Sequence, residues 1–294
     1  MSNVSAVKGW DVAGKLLYLF MTILGLVTIL PLVYLVNQSV KPLYELFIYP
    51  PRLFVRQPTF KSFVDLLSVA GTSFIPASRY LFNSVLVSGT VVAGSVIIGG
   101  LCAYPLAKHR AVGSKAIFWV IVASLMFSAA VTQIPRYLVL MRLGLLDTYL
   151  ALILPALATP LGVFLMKQFM EQIPDALLES ARIDGANEFV IWWRLAMPIC
   201  RPAWATVAIF SFQYIWNDIA GPTTYIQNES LKTLPVFFST LAALITPGST
   251  GTITSIARVG AGWAAAVVAL APLVVMFVVL QARVVETMAH SGIK

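Results

Sequence analysis

In this 294-residue chain the residues capable of chemistry are few and widely separated. The stretch GWDVAGKL, Gly9 to Leu16, has the glycine and lysine spacing of a phosphate-binding loop. Leu16, however, stands where a Ser or Thr hydroxyl would reach magnesium, and the stretch opens an apolar run instead of following a strand. Cys102 and Cys200 fall in different segments with neither metal-ligand nor disulfide-framework spacing, so no metal site and no redox chemistry are expected. His109 and His290 lie in polar segments, with no nucleophile and orienting group at recognisable spacing, which leaves no candidate catalytic residue. Arg136 and Asp218 lie near the ends of apolar runs whose centres carry no acid, so the usual intramembrane relay for proton or sodium coupling is missing.

What must position these residues is a membrane bundle. Hydrophobic residues make up 59% of the chain and charged residues 11%, against about 25% charged in soluble domains. A helix crossing a hydrocarbon core of about 30 Å needs about 20 residues. Six runs qualify, near residues 15–37, 82–107, 116–140, 148–168, 203–222 and 260–284. Helices satisfy their own backbone polar groups in lipid, so the expected fold is all-α: a polytopic membrane protein with six transmembrane helices in a single domain, 1–294. The first run is longer than a signal peptide's apolar region and reads as a retained helix. Six crossings put both termini on one side. The cations split 11 to 9 in favour of that side, and the short loop KHRAVGSK, with three cations in eight residues, places it in the cytoplasm by the positive-inside rule. The net charge of +8 then suits anionic headgroups, and no nucleic-acid partner is expected.

Between the fourth and fifth runs, about residues 169–202, the chain interrupts itself with LLESARIDGANEFVIWWRLAMPICRP, Leu177 to Pro202. Pro174 and Asp175 suit a helix start, and Ile173, Leu177, Leu178 and Ala181 share one apolar face. At Asp184-Gly185 the chain must turn, with glycine free to enter the left-handed region. Asn187 can cap a second short helix whose apolar stripe is Phe189, Trp192, Trp193 and Ala196. The residues alone leave two readings open for this helical knuckle: a hairpin packed on its own bundle, or a docking element for a partner.

Glu179-Ser180-Ala181, then Gly185, then Leu195-x-Met197-Pro198 resemble the EAA loop of ATP-binding-cassette (ABC) importer permeases, whose pattern is Glu-Ala-Ala, Gly, Ile-x-Leu-Pro. Ser180, Leu195 and Met197 are the departures. The resemblance narrows to the second permease of maltose-type carbohydrate importers through SVKP, FNSVLVS, PRYLVLMRLGLLDTYLALILP, WND and the terminal SGIK, with Thr287 replacing a common glycine. It implies the type I importer transmembrane fold and a multi-pass place in the bacterial inner membrane. It also implies a second, different permease, two ATPase subunits that hold ATP and magnesium, and an extracytoplasmic solute-binding protein delivering a sugar or oligosaccharide. Coupling to the ATPases would fall to Glu179, Ser180, Ala181, Asp184, Gly185, Ala186, Leu195 and Pro198. Beside this reading stand a permease for another solute, such as a polyamine, and an independent secondary transporter or channel.

Three further features stay open. Ser95, Gly99, Ala103 and Ala107 form a small-residue row suited to close helix packing, internal or against the partner permease. Gln213, Tyr214, Trp216, Asn217 and Asp218 combine aromatic faces with amide and carboxylate groups, as a sugar pathway or an interfacial belt would. The long segment 223–260 contains Pro247, Gly248, Ser249, Thr250 and Gly251, by resemblance a loop that reaches into the binding protein.

Overall fold

The computed structural model describes residues 12–50, 52–72, 75–109, 112–243 and 252–291. Residues Gly9 to Asp11 of the phosphate-loop-like stretch, the candidate loop Pro247–Gly251 and the last three residues lie outside them. The helices run in order α1 (Val12–Ser39), α2 (Leu43–Leu46), α3 (Lys61–Thr72), α4 (Ala77–Lys108), α5 (Ser114–Ser124), α6 (Ala129–Arg142), α7 (Tyr149–Leu157) and α8 (Pro160–Glu171). There follow α9 (Asp175–Ile183), α10 (Glu188–Ile191), a π-helical turn (Trp192–Ala196), α11 (Met197–Ile199), α12 (Arg201–Trp216), α13 (Ala220–Tyr225), a 3-10 turn (Glu229–Leu231), α14 (Leu234–Ala243) and α15 (Thr252–Ser291). Among the described residues there is no strand.

The all-helical membrane fold is as expected, but the six apolar runs are not six single long helices. Among the described residues, four stretches are long and apolar enough to span a membrane: Gly14–Ser39, Ala77–Lys108, Tyr149–Glu171 and Val259–Gln281. The third run, 116–140, is divided into α5 and α6, each shorter than a crossing. Ser128 takes an extended conformation (φ −72°, ψ 152°) that a continuous helix cannot contain. The flanking residues Leu125 to Phe127 are apolar, so hydropathy runs straight through the break. The fourth run is also interrupted, between Leu157 and Pro160, because the residue before a proline is driven out of the helical region; Thr159 sits at φ −106°, ψ 93°. The fifth run stops at Trp216, and α12 meets the helical segment Glu188–Ile199 before it at an 81° bend.

Two compact units emerge from the Cα packing, and the first comprises residues up to Val69 with Ala242–Val268. Within it, the apolar side chains of α1 face outward along the whole span, as lipid contact requires. The segment after α1 is tied back by its polar groups. Lys41 Nζ donates to the Arg52 carbonyl at 2.5 Å, the Val55 N–H donates to Asn37 Oδ1 at 2.9 Å, and the Arg56 N–H to Glu45 Oε2 at 3.2 Å. Lys41 and Glu45 are both buried, so these bonds satisfy charges that would otherwise be costly.

The second unit, Ala70–Leu241 with Ala269 onward, is organised around α4. Val87, Val91, Ser95, Gly99 and Ala103 recur every fourth residue and are all buried, a continuous stripe facing α7, α8 and α12. The small-residue row is internal packing here: Ser95 Oγ donates to the Ala156 carbonyl, and a Cβ added to Gly99 would lie 3.8 Å from the Gly162 carbonyl carbon. At the Ala77 end, polar groups lock α4 to the segment after α13. Asn83 Nδ2 donates to the carbonyls of Ser230 and Lys232, both at 2.8 Å, Tyr149 Oη donates to Asn83 Oδ1 at 2.7 Å, and the Leu234 N–H donates to Ser84 Oγ at 2.8 Å. The limited space beyond a Cβ at Gly99 yields a graded expectation. Gly99→Ala meets only ordinary van der Waals contact and is tolerated, whereas Gly99→Leu overpacks the α4–α8 seam by about 1–3 kcal/mol. Thermal unfolding of the detergent-solubilised protein should separate the two, and equal stability would show that the seam is looser than described.

Candidate functional site

The knuckle between α8 and α12 is built as its local sequence dictates. Pro174 caps α9 in an extended conformation, with Asp175 in the first turn and Arg182 in the last, both complementary to the helix dipole. At its end the Gly185 N–H donates to the Arg182 carbonyl and the Ala186 N–H to the Ala181 carbonyl, each at 3.0 Å. These are the two bonds of a Schellman motif, and Gly185 holds the required left-handed position at φ +84°. Asn187 then caps α10, its Oδ1 accepting from the Val190 N–H at 2.8 Å.

The two apolar stripes divide in a way that sequence spacing does not distinguish. Ile173, Leu178, Trp192 and Ala196 are buried in one cluster with Ala103 and Tyr104 of α4 and Met166 and Met170 of α8. Leu177, Phe189 and Trp193 are 41%, 63% and 52% exposed, and Ile183 in the turn reaches 86%. One face of the knuckle is therefore anchored in the bundle while the other is open. Glu179, Ser180, Asp184, Gly185 and Pro198 are exposed, and Ala181, Ala186 and Leu195 are partly buried against the anchoring cluster. The chain passes through a π-helical turn at Trp192–Ala196, where Trp192 and Ala196 are both buried.

A polar network unseen in the sequence fastens the knuckle to the Lys108 end of α4. Tyr104 Oη donates to Glu188 Oε2 and Arg182 Nε donates to Glu188 Oε1, both at 2.8 Å, and His109 Nε2 lies 3.4 Å from Glu188 Oε2. Lys108 Nζ donates to the Ile173 carbonyl at 2.5 Å and pairs with Asp175 at 2.8 Å. Glu188 is thus bound from both sides, by Arg182 in the helix before the turn and by Tyr104 in α4. The hydrogen bond from Arg182 holds the Glu188 carboxyl below its ordinary value, against partial burial, which acts the other way.

The second candidate region surrounds the breaks in the third and fourth runs. A cavity of about 450 Å³ opens between the α5–α6 break, the α7–α8 break and α12, with Leu125, Phe127, Arg136, Thr159, Phe210 and Tyr214 in its wall. Tyr214 is the only one of the five expected pathway residues that lines it. Trp216 is buried, stacked on Phe212 at 5.2 Å, and its Nε1 donates to the Ala269 carbonyl at 3.0 Å. Asn217 Nδ2 donates to the carbonyl of Gln213 one turn earlier, and Asp218 Oδ1 accepts from the Gly221 N–H at the start of α13. These bonds end α12 and turn the chain. The cavity wall was not legible from run lengths because both breaks sit inside uninterrupted apolar sequence. Pro160 was the available signal.

Residues 95–290 match the family described as "Binding-protein-dependent transport system inner membrane component", and the chain belongs to that family of ABC-importer permeases. Among its relatives, protein LplC of Bacillus subtilis (strain 168) is 35% identical over 232 residues, covering 79% of this chain and 75% of that protein. The arabinooligosaccharides transport system permease protein AraQ of Halalkalibacterium halodurans is 27% identical over 277 residues, 92% and 93% of the two chains. In fold, the chain is similar to a chain in the crystal structure of a bacterial ABC transporter involved in import of the acidic polysaccharide alginate. That match has a TM-score of 0.76 and 22% identity over 94% of this chain and 98% of the other.

The Glu188 network carries a pH signature. Because the folded-state pKa is depressed, the network stabilises the fold above the unfolded value of about 4.3 and loses that contribution as pH falls through the folded value. Glu188→Gln should lower the unfolding temperature at neutral pH, modestly since the carboxylate is half-exposed. The gap from wild type should close on acidification, and a gap independent of pH would remove the carboxylate's charge from the network.

Proposed function

We propose that this chain is one of two different permease subunits in an ABC importer that carries a sugar or oligosaccharide across the bacterial cytoplasmic membrane, with both termini in the cytoplasm. The observation that carries the reading is the near full-length similarity to an arabinooligosaccharide permease, joined to a knuckle of EAA type that is anchored on one face and open on the other. In this reading two ATPase subunits bind ATP and magnesium, and a solute-binding protein delivers the sugar outside. Residues Glu179 to Ala186, with Leu195 and Pro198, seat the knuckle in an ATPase groove, where Leu177, Ile183, Phe189 and Trp193 supply apolar contact. Pro247 to Gly251 reach the binding protein. Tyr214 faces the route of the sugar, and Gln213, Asn217 and Asp218 stand at its margin beside the buried Trp216.

Coupling follows from the way the knuckle is fastened. ATPase subunits that close on ATP can shift the transporter only if they bind its two states with different free energy. A docking element hydrogen-bonded to α4 transmits that difference into the bundle. The chain performs no hydrolysis in this scheme and carries mechanical work.

Gly185 gives the sharpest test. No atom lies within 4 Å of a Cβ built there, so within this chain a larger side chain meets open space and the penalty is conformational. Gly185→Val should cost about 1–2 kcal/mol of local strain at the left-handed position and project a branched side chain into the docking face. Membrane abundance and pairing with the second permease should persist, while ATPase association or sugar-stimulated hydrolysis falls. Co-purification and an ATPase assay on the complete importer decide it, and normal assembly with normal stimulation would detach the knuckle from coupling.

A further inference from the structure

The cavity between the broken helices is electrostatically one-sided. Among the described residues, Arg136 is the only charged one in its wall. Its guanidinium lies in hydrogen-bonding reach of the Tyr214 and Tyr225 phenols, and no carboxylate among the described residues forms an ion pair with it. Asp218 acts on it from further off and spends Oδ1 on the Gly221 N–H. An arginine set in a membrane bundle with no carboxylate in direct ion-pair contact among the described residues is costly and marks a ligand or ion route.

Two helices also begin at this cavity. α6 starts at Ala129, beside Phe127, and α8 starts at Pro160. Their first-turn N–H groups have no intrahelical acceptors and are available as donors, while the C-terminal ends of α5 and α7 meet the same breaks and offset the helix dipoles. Neither N-cap side chain bonds to its own helix, and the hydroxyl of Thr159 is buried without a partner. The remaining wall supplies the aromatic rings of Phe127, Phe210 and Tyr214, surfaces against which the C–H face of a sugar ring packs.

We infer that this cavity is a binding site for an acidic saccharide, with a uronate carboxylate seated on Arg136 and the sugar ring against the aromatic wall. The planar guanidinium fork matches a carboxylate in two parallel hydrogen bonds. One arginine balances one carboxylate, whereas a doubly charged phosphate ester would require a second cation that the wall does not offer. The volume falls in the range of about 300–1,000 Å³ typical of small-molecule sites. Thr159 and the free N–H groups of Leu161 and Gly162 stand ready for the sugar's hydroxyls. The inference rests on the saccharide-import reading and adds the charge of the cargo.

The test uses the assembled importer in lipid nanodiscs, with trigalacturonate and its carboxyl-reduced neutral counterpart as probes in a direct binding measurement. Wild type should prefer trigalacturonate by about tenfold or more, the equivalent of about 1.4 kcal/mol. Arg136→Gln should bring the two affinities together, and Arg136→Lys should retain part of the preference. Co-purification yield reports whether each variant assembles. Equal wild-type affinities, or a preference that survives Arg136→Gln in an assembled complex, overturn the anionic site and leave saccharide import standing. Affinity for neither probe likewise overturns the anionic site.

Discussion

At Gly99, α4 passes α8 with room for little more than a methyl group, since a Cβ there would touch the Gly162 backbone at 3.8 Å, and the arrangement of the larger unit follows from that proximity. In lipid, helices gain little from excluding water, so they associate through close packing and interhelical hydrogen bonds. A stripe of Val, Ser, Gly and Ala every fourth residue lets α4 serve α7, α8 and α12 at once. Because α8 is pinned near its start, the chain that leaves its end emerges at a fixed place, and the knuckle grows from there. The same seam positions the α7–α8 break, and with it one wall of the cavity.

The knuckle is stiff for reasons that do not depend on a partner. A Schellman turn, a side-chain cap and the Glu188 network fix its two helices relative to each other. The buried half of each apolar stripe then fixes them to α4 and α8. The open half is left with large apolar side chains, an arrangement that favours an occupant without altering the anchoring.

Much of this was legible in the sequence because it follows from local rules. The all-helical membrane class, the left-handed Gly185, the Asn187 cap and the small-residue stripe each rest on a few neighbouring residues. What escaped depends on contacts distant in sequence or on silent breaks. Hydropathy cannot register Ser128 turning extended inside an apolar run, so a cavity was read as two smooth crossings. Trp216 looked available in a polar-aromatic cluster, but its indole N–H is satisfied by α15, 53 residues away. Tyr104 read as the end of an apolar helix and Lys108 and His109 as a short polar loop, and only folding brings Glu188 and Asp175 to them.

The hydrogen bonds at the two ends of α4 make it a push-rod. Its 32 residues extend about 48 Å, with Asn83 and Ser84 gripping the segment after α13 at one end and Tyr104 and Lys108 gripping the knuckle at the other. A stiff member clamped at both ends carries load in both directions. Any coupling free energy between the two clamps acts equally in both directions, as linkage requires. A partner seated at the Ala77 end therefore has a route for announcing itself at the knuckle that does not pass through the cavity.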